Sequence, residues 1–359
     1  MTMAAPDPNT IPFQQLLQAL LDIDRPVNPR FYYRLSDLEP DDLAQLSRVW
    51  PDIPLWRRQA IMEDIEELSA NDILLYFVAL GRFAVQDPDP KVRLLAVRTL
   101  WEYEEKGLIP ILLDLLAKDP DAEVRAACAG ALGPYVYAGE LEEIPKPLLH
   151  TIEDCLLEAL HNDSSPKTQH YALESLGYSS RAEVIPLIEK AYASSDREWT
   201  ASALFAMGRS GDERWRPQVL AMLESKHPSL RSEAARAAGE LEISKAVPLL
   251  IELLDDPDQS TRLASIWSLS QIGGEGVRQI LEEMYEQVED EDTIELLTEA
   301  LDNLAFTEGL QLMPILDLVE YEDDDDMDEL SELDELDTLD DLDSLYDDDD
   351  EIGDEDLDR

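Results

Sequence analysis

Between residues 87 and 309 the apolar positions recur at three- and four-residue spacings, as at Val124, Cys128, Ala131 and Leu132. That spacing paints one face of a helix and predicts an amphipathic α-helix at each occurrence. The helices come in pairs. The first of each pair is rich in small residues (Ala126, Ala127 and Ala129; Ala234, Ala235, Ala237 and Ala238), which permit close packing between neighbours. The second is rich in Leu and Ile, as in PILLDLLAKD, PLIEKAYASSD, PQVLAMLES and PLLIELLDD. An Asp-Pro turn separates one pair from the next. A second aspartate, Asp89, Asp121 or Asp258, stands where its carboxylate caps the following helix. Gly133, Gly177, Gly208 and Gly239 suit the C-terminus of the first helix, and Pro110, Pro186, Pro217 and Pro248 the first turn of the second.

The pairs are copies of one unit. DPDPKVRLLAVRTL starts at Asp87, DPDAEVRAACAGALG at Asp119 and DPDQSTRLASIWSLS at Asp256. Asp163 opens a fourth copy, which continues as SSPKTQHYALESLG. Two copies read as shorter by two residues, DREWTASALFAMG from Asp196 and HPSLRSEAARAAG from His227. A period near 30 residues is that of a two-helix solenoid repeat. The unit at Asp119 carries an insertion, YVYAGELEEIPKPLLHTIED, which lengthens the connection or adds a turn of helix. Upstream, Trp56–Leu68 and Asp72–Ala84 read as one more helix pair. Residues 1–49, with a short helix over Phe13–Leu21, an aromatic FYYRL from Phe31 and a helix entry at Leu38, read as an N-terminal helical cap over the first repeat.

The D-x5-R-x2-A-x4-G frame around Arg125, with its partial copies, resembles the HEAT repeat, in particular the short subtype named after phycobilisome lyases. The basic position recurs as Arg93, Arg125, Arg231 and Arg262, and is Gln169 and Thr200 in two units. In that family the arginine and a turn aspartate form a ladder between neighbouring repeats, so the resemblance implies a structural role for these residues. It also implies the fold, an all-α, right-handed α-solenoid of stacked helix pairs. Two enzymatic precedents come with it. Relatives that hydroxylate a modified lysine hold a di-iron centre with His-Glu pairs, but the four histidines here are followed by Thr151, Asn162, Tyr171 and Pro228. The bilin lyases share the repeat, and no further residue here points to a tetrapyrrole.

Charge divides the chain. Acidic residues number 81 against 28 basic ones, a net of −53. Residues 320–359 hold 24 acids and one arginine, and the other 319 residues hold 57 acids and 27 bases. The first segment reads as a disordered acidic tail, the second as a mixed repeat body over 50–319. In the tail, Met327, Leu330, Leu333, Leu336, Leu339, Leu342 and Leu345 recur every third residue between carboxylates, a pattern of interaction segments. Such acidity excludes binding of nucleic acid through a basic surface and adhesion to an anionic membrane. No apolar stretch approaches a membrane span and no secretory signal opens the sequence, so the expected location is cytoplasmic. Cys128 and Cys155 sit in helical patterns without metal or disulfide spacing, and read as reduced, buried thiols.

No phosphate loop, G-x-S-x-G or metal-ligand spacing occurs, so no cofactor and no metal is expected, and the chain reads as a non-enzyme. The expected role is a protein-interaction scaffold or adaptor, with a protein partner in the concave groove. The second helices are expected to line that groove, with Asp114, Lys118, Glu189, Lys190, Glu224 and Glu252 facing outward. Of the aromatics Trp101, Tyr103, Trp199, Trp215, Trp267 and Tyr285, the surface candidates are Trp199, Trp215 and Tyr285, while Trp267 reads as core. The tail is expected to dock on the body's arginines and compete with the partner. Two other readings stand beside this one: an acidic chaperone or nucleic-acid mimic holding basic proteins, and a bilin lyase-like enzyme or subunit.

Overall fold

The computed structural model describes residues 11–312, and all regular structure among them is helical. The cap consists of α1 (Phe13–Leu21), α2 (Arg30–Tyr33) and α3 (Pro40–Val49). Arg57 ties it down. Its guanidinium is buried and donates to the Ala19 carbonyl at 3.0 Å and the Leu20 carbonyl at 3.3 Å, satisfying groups that the end of α1 leaves open. Helix pairs follow: α4 (Leu55–Asn71) with α5 (Val78–Ala84), α6 (Pro90–Trp101) with α7 (Ile109–Lys118), and α8 (Ala122–Ala131) with α9 (Gly133–Glu140) and α10 (Lys146–Asn162). The insertion is therefore a whole extra helix, α9. Next come α11 (Pro166–Leu176) with α12 (Val184–Tyr192), α13 (Arg197–Arg209) with α14 (Arg216–Leu223), and α15 (Pro228–Glu240) with α16 (Val247–Glu252). The last are α17 (Gln259–Ile272) with α18 (Val277–Tyr285), and α19 (Glu291–Leu312).

Each pair buries its Leu, Ile and Val stripe against the next, and the buried side chains form one continuous core. Successive first helices (α4, α6, α8, α11, α13, α15, α17) lie directly on one another, whereas the second helices scarcely touch apart from α7 and α10. Glycine makes the close row possible. A Cβ on Gly239 would stand 2.7 Å from the Trp267 ring and 2.9 Å from the Ser268 Cα, and one on Gly177 would stand 2.7 Å from the Ala206 Cα. These glycines are therefore points of helix contact, not left-handed helix ends: Gly177 is right-handed at φ −52°, and Gly208 and Gly239 lie inside their helices. The left-handed residue comes three positions later, at Gly211 (φ 61°) and Glu242 (φ 46°).

The repeat register is also tighter than the sequence suggests. The turn residue accepts a backbone N–H from two positions on: Asp121 donates to Asp119 at 2.9 Å, Ser165 to Asp163 at 2.8 Å and Asp258 to Asp256 at 2.9 Å. In the two copies that look short, Ser194 takes that bond from Asp196 at 3.1 Å and Ser225 from His227 at 3.3 Å. Those copies start at Ser194 and Ser225 and are full length, so from Asp163 onward each unit spans 31 residues. A serine hydroxyl closes the turn as an aspartate does, which hid the alignment.

Candidate functional site

Arginine and aspartate link the layers along the turn edge. Arg93 makes a bidentate pair with Asp119 at 2.7 and 2.8 Å, Arg125 with Asp163 at 2.7 and 2.9 Å, and Arg231 with Asp256 at 2.7 and 2.8 Å. Each arginine also donates back to its own turn carbonyl six residues earlier, as Arg93 does to Asp87 at 2.9 Å. Arg262 makes the backward bond, to the Asp256 carbonyl at 2.8 Å. The pairing raises the arginines and lowers Asp163 and Asp256 from their ordinary ranges. Asp89, Asp121 and Asp258 do different work: each accepts from the first N–H groups of α6, α8 and α17.

Two rungs are absent, and both ends of each are changed together. Gln169 and Thr200 stand in the arginine position, and their partners' positions hold Ser194 and Ser225. The Gln169 side chain still donates to the Asp163 carbonyl at 2.9 Å, but it is too short to reach the next turn. A cavity of about 320 Å³ opens at the missing Gln169–Ser194 rung. Lys190 and Trp199 both line it.

The first helices form the more closely packed row, and because a stack bends toward its more closely spaced row, the face of the first helices is taken as the inner one. Asp114, Lys118, Glu189, Lys190, Glu224 and Glu252 all belong to the second-helix row or its ends. Helical phase in a single helix does not say which row is inner. The alanines and glycines of the first helices do, because short spacing demands small side chains. Of the other sequence candidates, Lys118 pairs with Asp114, and Tyr285 is exposed at the end of α18. Trp215 is a correction: it is only 2% exposed. It lies 31 residues after buried Val184 and 31 before buried Ala246, so it fills a core register position. Trp267 is corrected the other way. It is half-buried on the inner face, packed over Gly239.

The inner face carries two adjoining clefts across α6, α8, α11, α13 and α15. One, of about 330 Å³, is walled by Trp101, Tyr171, Tyr178 and Phe205. Gly130 forms its floor, where a Cβ would stand 3.0 Å from the Trp101 ring and 3.2 Å from the Tyr171 ring. Arg209 lies over Tyr178 at 5.2 Å and over Phe205 at 5.0 Å, and pairs with Glu240 at 3.3 Å. The second cleft, of about 510 Å³, shares Tyr171, Glu174 and Phe205 and adds Glu198, Glu233 and Asp258. Burial pushes Glu174 up to about 7 and Glu240 up to about 6, and raises Glu233. One Glu233 oxygen is buried with no hydrogen-bond partner. Ser202 donates to Glu174 at 2.6 Å and lies 3.0 Å from His170 Nδ1. Ser202 is 4% exposed, so its hydroxyl holds the carboxylate in place and does not face a substrate.

None of this cleft was named from the sequence as a site, apart from Trp101 among the aromatics. The signal was available once the period is set at 31: Glu174, Phe205, Arg236 and Trp267 are the same repeat position in four successive units. Tyr178, Arg209, Glu240 and Gln271 are another.

Among the described residues no helix is long and apolar enough to cross a membrane. The family model of HEAT repeats matches residues 79–147, 153–225 and 216–302. Comparison with curated proteins finds no match. Among solved structures, the YibA protein of E. coli is 17% identical, with 78% of this chain and 98% of that one covered and a TM-score of 0.40. Human deoxyhypusine hydroxylase in complex with glycerol is 20% identical, covering 72% and 95%, with a TM-score of 0.32. Importin beta is 15% identical, covering 83% of this chain and 47% of that one, with a TM-score of 0.39.

Proposed function

The chain belongs to the HEAT-repeat family, and from that premise we propose that it is a non-catalytic interaction scaffold that holds a segment of a partner protein on the inner face of its first helices. The observation that supports this reading most is the pair of clefts joined at Tyr171, Glu174 and Phe205. Aromatic side chains offer a large rigid contact area at low entropic cost, and such residues anchor interfaces. Beside them, Glu174 is a carboxylate taken largely out of water with only the charges of other carboxylates acting on it, and Glu233, in the field of Arg236 and Arg209, keeps one buried oxygen without a hydrogen-bond partner. An arginine or lysine from a partner supplies a cation there and stacks on Tyr171 and Phe205. The partner segment is therefore basic, with an apolar residue for the Trp101–Tyr178 cleft. The acidic residues 320–359, for which competition with the partner was expected, lie outside the described residues.

The test is affinity purification of the wild-type chain beside Tyr171→Ala/Phe205→Ala, with crosslinks mapped by mass spectrometry. Partners lost from the variant, and crosslinked through basic segments to α11 and α13, support the reading. An unchanged set of partners, or crosslinks confined to the second-helix row, refutes it.

A further inference from the structure

The missing rung marks a second binding pocket, on the turn edge and independent of the inner face. Where Arg125 reaches Asp163 and Arg231 reaches Asp256, the guanidinium fills the space between layers. Between Gln169 and Ser194 nothing fills it, and the cavity of about 320 Å³ remains. Its apolar lining is Leu160, Leu173, Leu187, Ala191 and Trp199. Its polar lining is Gln169, Ser194, His161 and Lys190, with no carboxylate among them. In a chain of 81 acidic residues that composition is unusual, and every other cleft described above has an acidic wall or a paired arginine.

The polar groups at its rim are also unspent. Lys190 is exposed and, among the described residues, has no carboxylate within ion-pair distance, whereas Lys91, Lys118 and Lys167 each have one. His161 is exposed and engages the Leu157 carbonyl through Nδ1 at 2.6 Å, which leaves Nε2 as its open edge. Trp199 stacks on His170 with ring centroids 4.2 Å apart, so the apolar wall is held rigid. The loss of both ends of the rung matters here. Removing arginine alone would leave an aspartate at 194 to repel an anion; with serine there, the pocket lining holds no carboxylate.

We propose that this notch docks an acidic, leucine-bearing segment of a partner protein: a leucine side chain fills the space between Leu173, Leu187 and Trp199, and flanking Asp or Glu carboxylates pair with Lys190 and His161. The probe is a fluorescein-labelled synthetic peptide, DELDELDDLD, titrated by fluorescence polarisation at low and high salt. It is run against the full chain and against the chain cut after residue 319, which keeps the compact unit through residue 307 and removes the chain's own acidic residues as competitors.

Binding to the cut chain is expected, weakened about tenfold by Lys190→Glu and weakened further by salt. Gln169→Arg/Ser194→Asp rebuilds the rung across the notch and is expected to abolish binding while raising thermal stability, so the loss is not one of folding. Tyr171→Ala leaves this binding unchanged, which separates it from the inner-face reading. The proposal is overturned if the peptide fails to bind the cut chain, if the Lys190→Glu chain binds it equally, or if a Leu→Ser version of the peptide binds as well. Saturable binding of decanoate without any binding of the peptide overturns it in favour of a small amphipathic carboxylate.

Discussion

The Arg93–Asp119 rung allows the energetic logic of the ladder to be measured. Both side chains are nearly buried, at 10% and 2% exposure. Arg93→Gln copies what stands at position 169: glutamine keeps the bond to its own turn carbonyl and loses the reach to the next layer. The Asp119 carboxylate is then left buried with the Asp121 N–H at 2.9 Å as its remaining partner. Breaking a buried pair from one side costs about 3–5 kcal/mol, because the abandoned charge stays desolvated. Asp119→Ser strands the guanidinium and is expected to cost about the same. The double change Arg93→Gln/Asp119→Ser strands neither group. It is expected to cost about 1–2 kcal/mol, so the coupling energy in the cycle exceeds about 3 kcal/mol. Repeat arrays need not unfold in one step, so urea unfolding is paired with native-state hydrogen exchange of α6 and α8 amides. If the two single changes add, or if each costs under about 0.5 kcal/mol, the joint replacement at Gln169/Ser194 and Thr200/Ser225 has no energetic explanation and the reasoning fails.

Three further outcomes follow from other contacts. Gly239→Ala places a methyl against Trp267 and the Ser268 backbone, and should lower stability by about 1–3 kcal/mol despite the gain of about 1 kcal/mol that Ala normally brings to a helix; a higher Tm would show that the first helices can separate freely. Glu174 goes from 4.5 to about 7 on folding, so the folded state resists ionisation that the unfolded chain undergoes. The penalty is absent below about pH 4, grows between 4.5 and 7 and is complete above, hence Glu174→Gln should stabilise by up to about 3 kcal/mol at pH 8 and not at pH 4, with equal gains at both pH values counting against it. For the same reason an arginine-bearing peptide on the inner face should bind more tightly as pH rises from 6 to 8, and a titration showing no such rise would remove Glu174 from the contact.

Much of the fold was legible because it rests on periodic requirements. Apolar spacing at Val124, Cys128 and Leu132 marked the helices, and the recurrent Arg93, Arg125 and Arg231 marked the unit. What escaped depended on relations between units. Ser194 and Ser225 close their turns as aspartate does, so a search for Asp shifted two copies by two residues. That shift hid Trp215's place in the core and the common position of Glu174, Phe205 and Trp267. The clefts on the first-helix row escaped because helical phase describes a helix alone, while the spacing of a row comes from how closely neighbours approach. Lys190 and Trp199 were named separately, each within its own unit; that they meet in one cavity depends on a rung missing between units.

The two vacant rungs also bear on how the array deforms. Charge pairs along the turn edge resist sliding of one layer over the next, as cross-bracing resists shear in a frame. The bracing is intact from α4, where Arg58 reaches Asp87 at 3.4 Å, through to α11, and again between α15 and α17. It is lacking across α11, α13 and α15, the same layers that carry Glu174, Phe205 and Glu233. Sliding of one layer over the next is therefore expected to be easiest at the layers that form the inner clefts.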